Sequence, residues 1–119
     1  MRGDRAFLDD ILERIYLTQE FVKLGKDAFF NSRIHQEAVV RNFNIIGEAT
    51  RHLSAQLRNQ HSEVEWKRIV SHFVTTDYQA VKLEYVWNII QNDLPLLKTQ
   101  IEAILKDLDE AQDATKEQE

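Results

Sequence analysis

This sequence predicts an all-α fold, an antiparallel up-and-down bundle of four helices, on three observations. Helix-forming Leu, Ile, Glu, Lys, Gln and Ala are abundant, while three glycines and one proline in 119 residues leave few turn signals. Apolar residues recur at helical spacing along most of the chain. The segments between these periodic runs are short, and short connections favour antiparallel neighbours. A chain of this length fits one domain with a single core.

The first helix is expected from Asp4 to about Leu24, because Phe7, Leu8, Ile11, Leu12, Ile15 and Val22 fall on one side of a helical wheel. Gly25 then acts as a stop, and Asn31 or Ser32 as the cap of the next segment. A second helix, roughly Ser32 to Leu57, carries Ile34, Ala38, Val39, Ile45, Ile46, Ala49, Leu53 and Leu57 on one face, with Asn42 in the middle and Gly47 on the far side. The third opens at the capping sequence "SEVEW" from Ser62 and runs to about Phe73. The β-branched, turn-prone "VTTDYQA" interrupts the pattern. A last helix from about Val81 to Leu108 repeats Val86, Ile90, Leu97, Ile101, Ile104 and Leu108, and Pro95 should bend it by withholding a donor and crowding the preceding turn. Trp66 and Trp87 read as core residues packed against one another's helices. Residues 1–108 thus form the bundle, and 109–119 an acidic tail, frayed or disordered.

Charge and cysteine content narrow the function. The net charge of -5 is concentrated in the tail, where two lysines face six acids from Lys106 onward, so the body carries only -1. Global charge therefore neither favours nor excludes RNA, and only a local basic patch can decide. With no cysteine, disulfides, thiolate metal sites and cysteine nucleophiles are excluded. The charged start and the lack of a long apolar run lead us to expect a cytoplasmic protein with no membrane partner.

Few residues remain that could carry chemistry. Asn42, an amide within an apolar stripe, is either a satisfied core group that fixes register or a support beneath a site or dimer seam. Arg41, Glu48 and His52 share one helix edge and read as a surface ion-pair ladder; Glu48 and His52 give only two ligands, and no metal is expected. No cofactor pattern, Gly-rich phosphate loop or serine triad is present. Arg68 and His72 stand one helical turn apart. Such a pair could attack a phosphodiester, His72 taking a proton from a ribose 2′-hydroxyl and Arg68 neutralising the crowded phosphate. A solvated Arg/His face accounts for the same spacing more simply.

Three stretches in order, "AVVRNFNIIGEATRHLS", "WKRIV" and "DYQAVKLEYVWNIIQNDLPLL", make the chain resemble the HepT-like branch of the HEPN superfamily, from "FLDDILERI" to "LPLLKTQIEAIL". The resemblance implies a dimerising helical bundle, a metal-independent endoribonuclease fold acting on RNA such as tRNA. It also implies a partner, a MntA-type nucleotidyltransferase antitoxin that silences the toxin by AMPylation of a motif tyrosine. That tyrosine corresponds to Tyr78, preceded by Asp77. The family's Arg-Asn pair and its His do not carry over: Phe73 and Val74 stand at the first position and Thr76 at the second, in a segment about two residues short. Arg68 and His72 are the only local substitutes. The resemblance thus implies a toxin–antitoxin component with an impaired or relocated site, and the alternative is a non-catalytic dimeric binding or scaffold module.

Overall fold

The computed structural model describes residues 3–73 and 82–118, with side chains for all of these except His72 and 114–118. Its described elements are helices: α1 (Asp4–Phe21), α2 (Lys26–Phe30), α3 (Arg33–Arg51), α4 (Ala55–Gln60), α5 (Trp66–Phe73), α6 (Leu83–Asn88), a π-helical turn (Ile89–Asp93) and α7 (Leu94–Gln118). The all-α class is as the sequence predicts. The long segments are α1, α3, α5 and the run from α6 to α7; α2 and α4 are additions.

Helix α1 runs antiparallel to both of its long neighbours. At its start, the Asp4 carboxylate accepts hydrogen bonds from the Ser54 backbone N–H (2.8 Å) and hydroxyl (2.6 Å), just beyond the end of α3. Arg5 pairs with Asp109 late in α7, whereas Tyr16, three turns further along α1, lies 5.0 Å beneath the Lys98 ammonium near the start of α7. Between α1 and α3 the core is Leu8, Ile11, Ile15, Val39, Ile46 and Ala49, all buried.

The central element is α3, which buries two stripes rather than one. The first faces α1. The second, Val40, Phe43, Gly47 and Thr50, is also buried, and Phe43 meets Phe73 of α5 edge to face with ring centroids 4.8 Å apart. Gly47, expected on the far side, is therefore buried because a second helix covers that side. Ile34 departs in the opposite sense. Expected in the apolar stripe, it is 79% exposed, at the same end of the α1–α3 hairpin as the equally exposed Leu24.

Two expected boundaries move for local reasons. Gly25 (φ 98°) does end the first segment, since the left-handed region suits a residue without Cβ, but α2 starts immediately after it. Gln36 then fastens α2 to α3 by donating its amide to the Phe29 and Phe30 carbonyls (3.0 and 3.1 Å). Ser32 caps α3 as expected, accepting from the His35 N–H. The expected second helix ends early, at Arg51, because Ser54 adopts an extended backbone and accepts from the Leu57 N–H (3.1 Å), capping a separate α4.

Trp66 is buried, and its indole donates to the carbonyls of Arg58 (3.2 Å) and His61 (3.0 Å), closing the turn between α4 and α5. Trp87 is only partly buried and packs on Phe29, 5.7 Å between centroids.

Instead of a simple bend, the last long segment contains the π turn two residues before Pro95. Pro95 cannot donate to the carbonyl of residue 91 and its ring crowds it. The widened turn, in which the Leu94 N–H reaches back to Ile89, accommodates that crowding while Ile89, Ile90, Leu94 and Leu97 stay buried. Helix α7 continues to Gln118, beyond the Leu108 boundary set by the apolar repeat. Among the described residues no helix is long and apolar enough to cross a membrane.

Candidate functional site

Helix α5, described from Trp66 to Phe73, has a buried aromatic at each of these two residues and packs against α3. Arg68 lies on that face, and a cleft of about 330 Å³ opens beside it. Ile69, Phe73 and Leu97 line the cleft together with Leu96 and Gln100, and Glu63, Glu65, Arg68 and Asp93 provide its charges.

Within the cleft the Arg68 guanidinium is already engaged. It donates to Glu65 (3.0 Å, one turn back on the same face) and lies 3.8 Å from Asp93 on the π turn. The Glu65 hydrogen bond first, and then the charge of Asp93, push its pKa above the usual guanidinium value, so it stays a cation. Arg68 is more than half exposed, and both contacts are solvent-screened.

On its other side Arg68 borders a shallower hollow of about 670 Å³. Arg58, Lys67 and Arg68 line it, with Glu65 as the one acid there and Trp66 and Val64 as its apolar floor. Three cations against one carboxylate form the local basic patch that the overall charge of -5 conceals. Arg58 lines the hollow, and its buried Nε has no hydrogen-bond partner among the described residues.

His72 is one turn beyond Arg68 in α5, as their spacing in the chain requires; its side chain, like Asp77 and Tyr78, lies outside the described residues. Asn42 is elsewhere. It is 3% exposed, its Oδ1 accepts from Arg14 Nη1 (3.3 Å), and its Nδ2 has no partner among the described atoms. It therefore works between α1 and α3 and does not line the Arg68 cleft. The expected ladder of Arg41, Glu48 and His52 does not form: Glu48 pairs with Arg51 (3.0 Å), and His52 stacks on Phe7 (5.2 Å, 17° between planes). Among the described residues no three His, Asp or Glu side chains cluster as a metal would require.

Asp93 is the site residue that sequence reasoning missed. Pro95 signalled a distorted helix, but not that the distortion would set a carboxylate against Arg68.

The Ribonuclease HepT-like family model matches residues 11–104. A Methanocaldococcus jannaschii protein named "Gamma-glutamylcyclotransferase and putative RNase" is 35% identical over 113 residues, 92% of this chain, and this chain spans about half (51%) of that relative's length. A "Putative RNase" of the same organism is 32% identical over 106 residues, covering 87% of this chain and 97% of the relative. The "Probable ribonuclease HepT" of Thermococcus cleftensis is 29% identical, covering 88% and 98%. No solved structure matches the chain.

Proposed function

The chain belongs to the HepT-like ribonuclease family, and from that premise we propose that it is the ribonuclease-fold component of a toxin–antitoxin module, acting on RNA along the exposed face of α5. The observation that carries the reading is the hollow lined by Arg58, Lys67 and Arg68, whose three cations suit a phosphate backbone. Arg68 at its rim supplies a cation for the phosphate, and His72 one turn on supplies a group that takes the 2′-hydroxyl proton as the 2′-O–P bond forms and returns it to the 5′-oxygen as the P–O5′ bond breaks. No metal takes part in this scheme. The active unit is a homodimer in which two copies of α5 share one RNA-binding face. Its partner is a MntA-type nucleotidyltransferase, which transfers AMP to the Tyr78 hydroxyl and so blocks the same face.

The test is cleavage of RNA, including tRNA, by the purified protein beside His72→Ala and Arg68→Ala. Cleavage by wild type, lost in either variant, supports the scheme. Cleavage retained equally in both places the chemistry on other residues. Co-expression with an adjacent nucleotidyltransferase should add one AMP by intact mass, and an adduct that survives Tyr78→Phe sinks the assignment of the acceptor.

A second reading, a non-catalytic module that keeps partner and RNA surfaces, is favoured by the engagement of Arg68 with Glu65 and Asp93. Under it, RNA binds the hollow and no variant changes cleavage, because none occurs.

A further inference from the structure

We propose that Asp93 is an intramolecular competitor for Arg68, an acid mounted on the π turn that an incoming phosphate must displace. The inference rests on the reading of Arg68 as a phosphate-facing cation. Three observations support it.

First, Glu65 and Asp93 have different origins. Glu65 precedes Arg68 by three residues, and such pairs are ordinary on a helix surface. Asp93 comes from a separate element 25 residues on, at 3.8 Å, too long for a hydrogen bond and just within ion-pair range. Second, Asp93 closes the one π turn among the described elements, and such turns are frequent at functional positions because an extra residue re-aims a side chain. Third, Asp93 is the less exposed partner, 28% against 56% for Arg68, so the carboxylate is the more enclosed of the two and the guanidinium the more accessible to an incoming anion. Arg68 lies between the acidic cleft and the basic hollow. Released from Asp93, its guanidinium can turn wholly to the hollow it lines with Arg58 and Lys67; beside Asp93, part of its charge is already neutralised. Asp93 thereby sets how readily the basic face accepts an anion.

The test compares wild type, Asp93→Asn, Arg68→Ala and the double variant by fluorescence anisotropy with a labelled single-stranded RNA oligonucleotide. Asp93→Asn should bind roughly twofold to fivefold more tightly, the range for release of an exposed ion pair, and the gain should vanish in the Arg68→Ala background. Affinity unchanged in Asp93→Asn, or a gain that persists without Arg68, overturns the proposal. A parallel titration with inorganic pyrophosphate, followed on the Arg68 guanidinium NMR signal, separates it from the RNA reading. A response at lower pyrophosphate concentration in Asp93→Asn, in proteins that bind no RNA, upholds the competitor and overturns RNA as its ligand. An identical response in wild type and Asp93→Asn overturns the competitor whatever RNA does.

Discussion

Replacing Phe43 and Phe73 with leucine, singly and together, measures how firmly the candidate site is anchored. These rings are 2% and 1% exposed and meet edge to face at 4.8 Å and 77°. They join central α3 to the last residue of α5, immediately before the segment that carries Tyr78. Truncation of either to alanine would cost about 3–5 kcal/mol. The whole domain is worth about 6–18 kcal/mol at 0.05–0.15 kcal/mol per residue, so alanine variants risk unfolding and leucine keeps most of the volume. Beyond area burial, an aromatic pair in this geometry contributes about 0.5–1.5 kcal/mol. The double variant should therefore lose less than the sum of the single losses by about that amount. Urea unfolding followed by circular dichroism at equal slopes gives the three differences, and 1 kcal/mol corresponds to roughly 4 °C in Tm for a chain of this size. Additive losses, within about 0.3 kcal/mol, would show that the rings do not share a contact and that α5 is held from elsewhere.

Ser54→Ala should cost about 1 kcal/mol in urea unfolding, because it removes the α4 cap and one donor to Asp4 together; full additivity with Asp4→Ala would mean that the two residues act separately. Gln36→Leu should cost about 1–3 kcal/mol by taking the amide donor from the Phe30 carbonyl and leaving that of Phe29 with the Ser32 N–H alone, and amide exchange should quicken in residues 26–30 before the global transition; uniform quickening would refute a local fastening. Because its two acidic neighbours raise the pKa of Arg68, the folded state holds that proton more tightly than the unfolded chain does. The resulting stabilisation is present at all pH values below the unfolded guanidinium range and fades only as pH rises through the folded value. RNA affinity that fell between about pH 6 and 8 in both wild type and Arg68→Ala would therefore report a group other than Arg68.

Much of the architecture was legible because burial follows helical periodicity. The stripes of α1, α3 and α7 are those that the spacing of Leu8, Ile11, Ile15, Val39, Ile46, Leu97, Ile101 and Ile104 marks out, and Ser32 and Phe73 bound their helices as expected. The break at Ser54 was not legible, because Leu53 and Leu57 on either side are both buried and keep the period running through a cap. Helix α2, five residues long, is too short to show a period at all. The second buried stripe of α3 was hidden for another reason: Gly47 and Thr50 look polar or neutral in sequence, and Thr50 is buried by returning its hydroxyl to the Ile46 carbonyl. At the site, the pairing of Arg68 with Glu65 follows from local spacing, whereas its approach to Asp93 depends on how two separate elements pack. The basic hollow was equally out of reach, since Arg58 and Lys67 come together only through the turn that Trp66 closes.

The π turn also decides where this protein can change length. A five-residue π segment is an α-helical stretch that has absorbed one extra residue, so deleting one residue from Ile89–Asp93 lets the stretch relax to an ordinary helix with Val86 on one side and Leu97, Ile101 and Ile104 on the other still facing the core. The same deletion one turn later has no slack to use. It would rotate everything beyond it by about 100°, the angle per residue of an α-helix, and carry Ile101 and Ile104 out of the core. Loss of a single residue in this half of the chain is therefore tolerated at the turn, at the expense of the placing of Asp93, and not in α7.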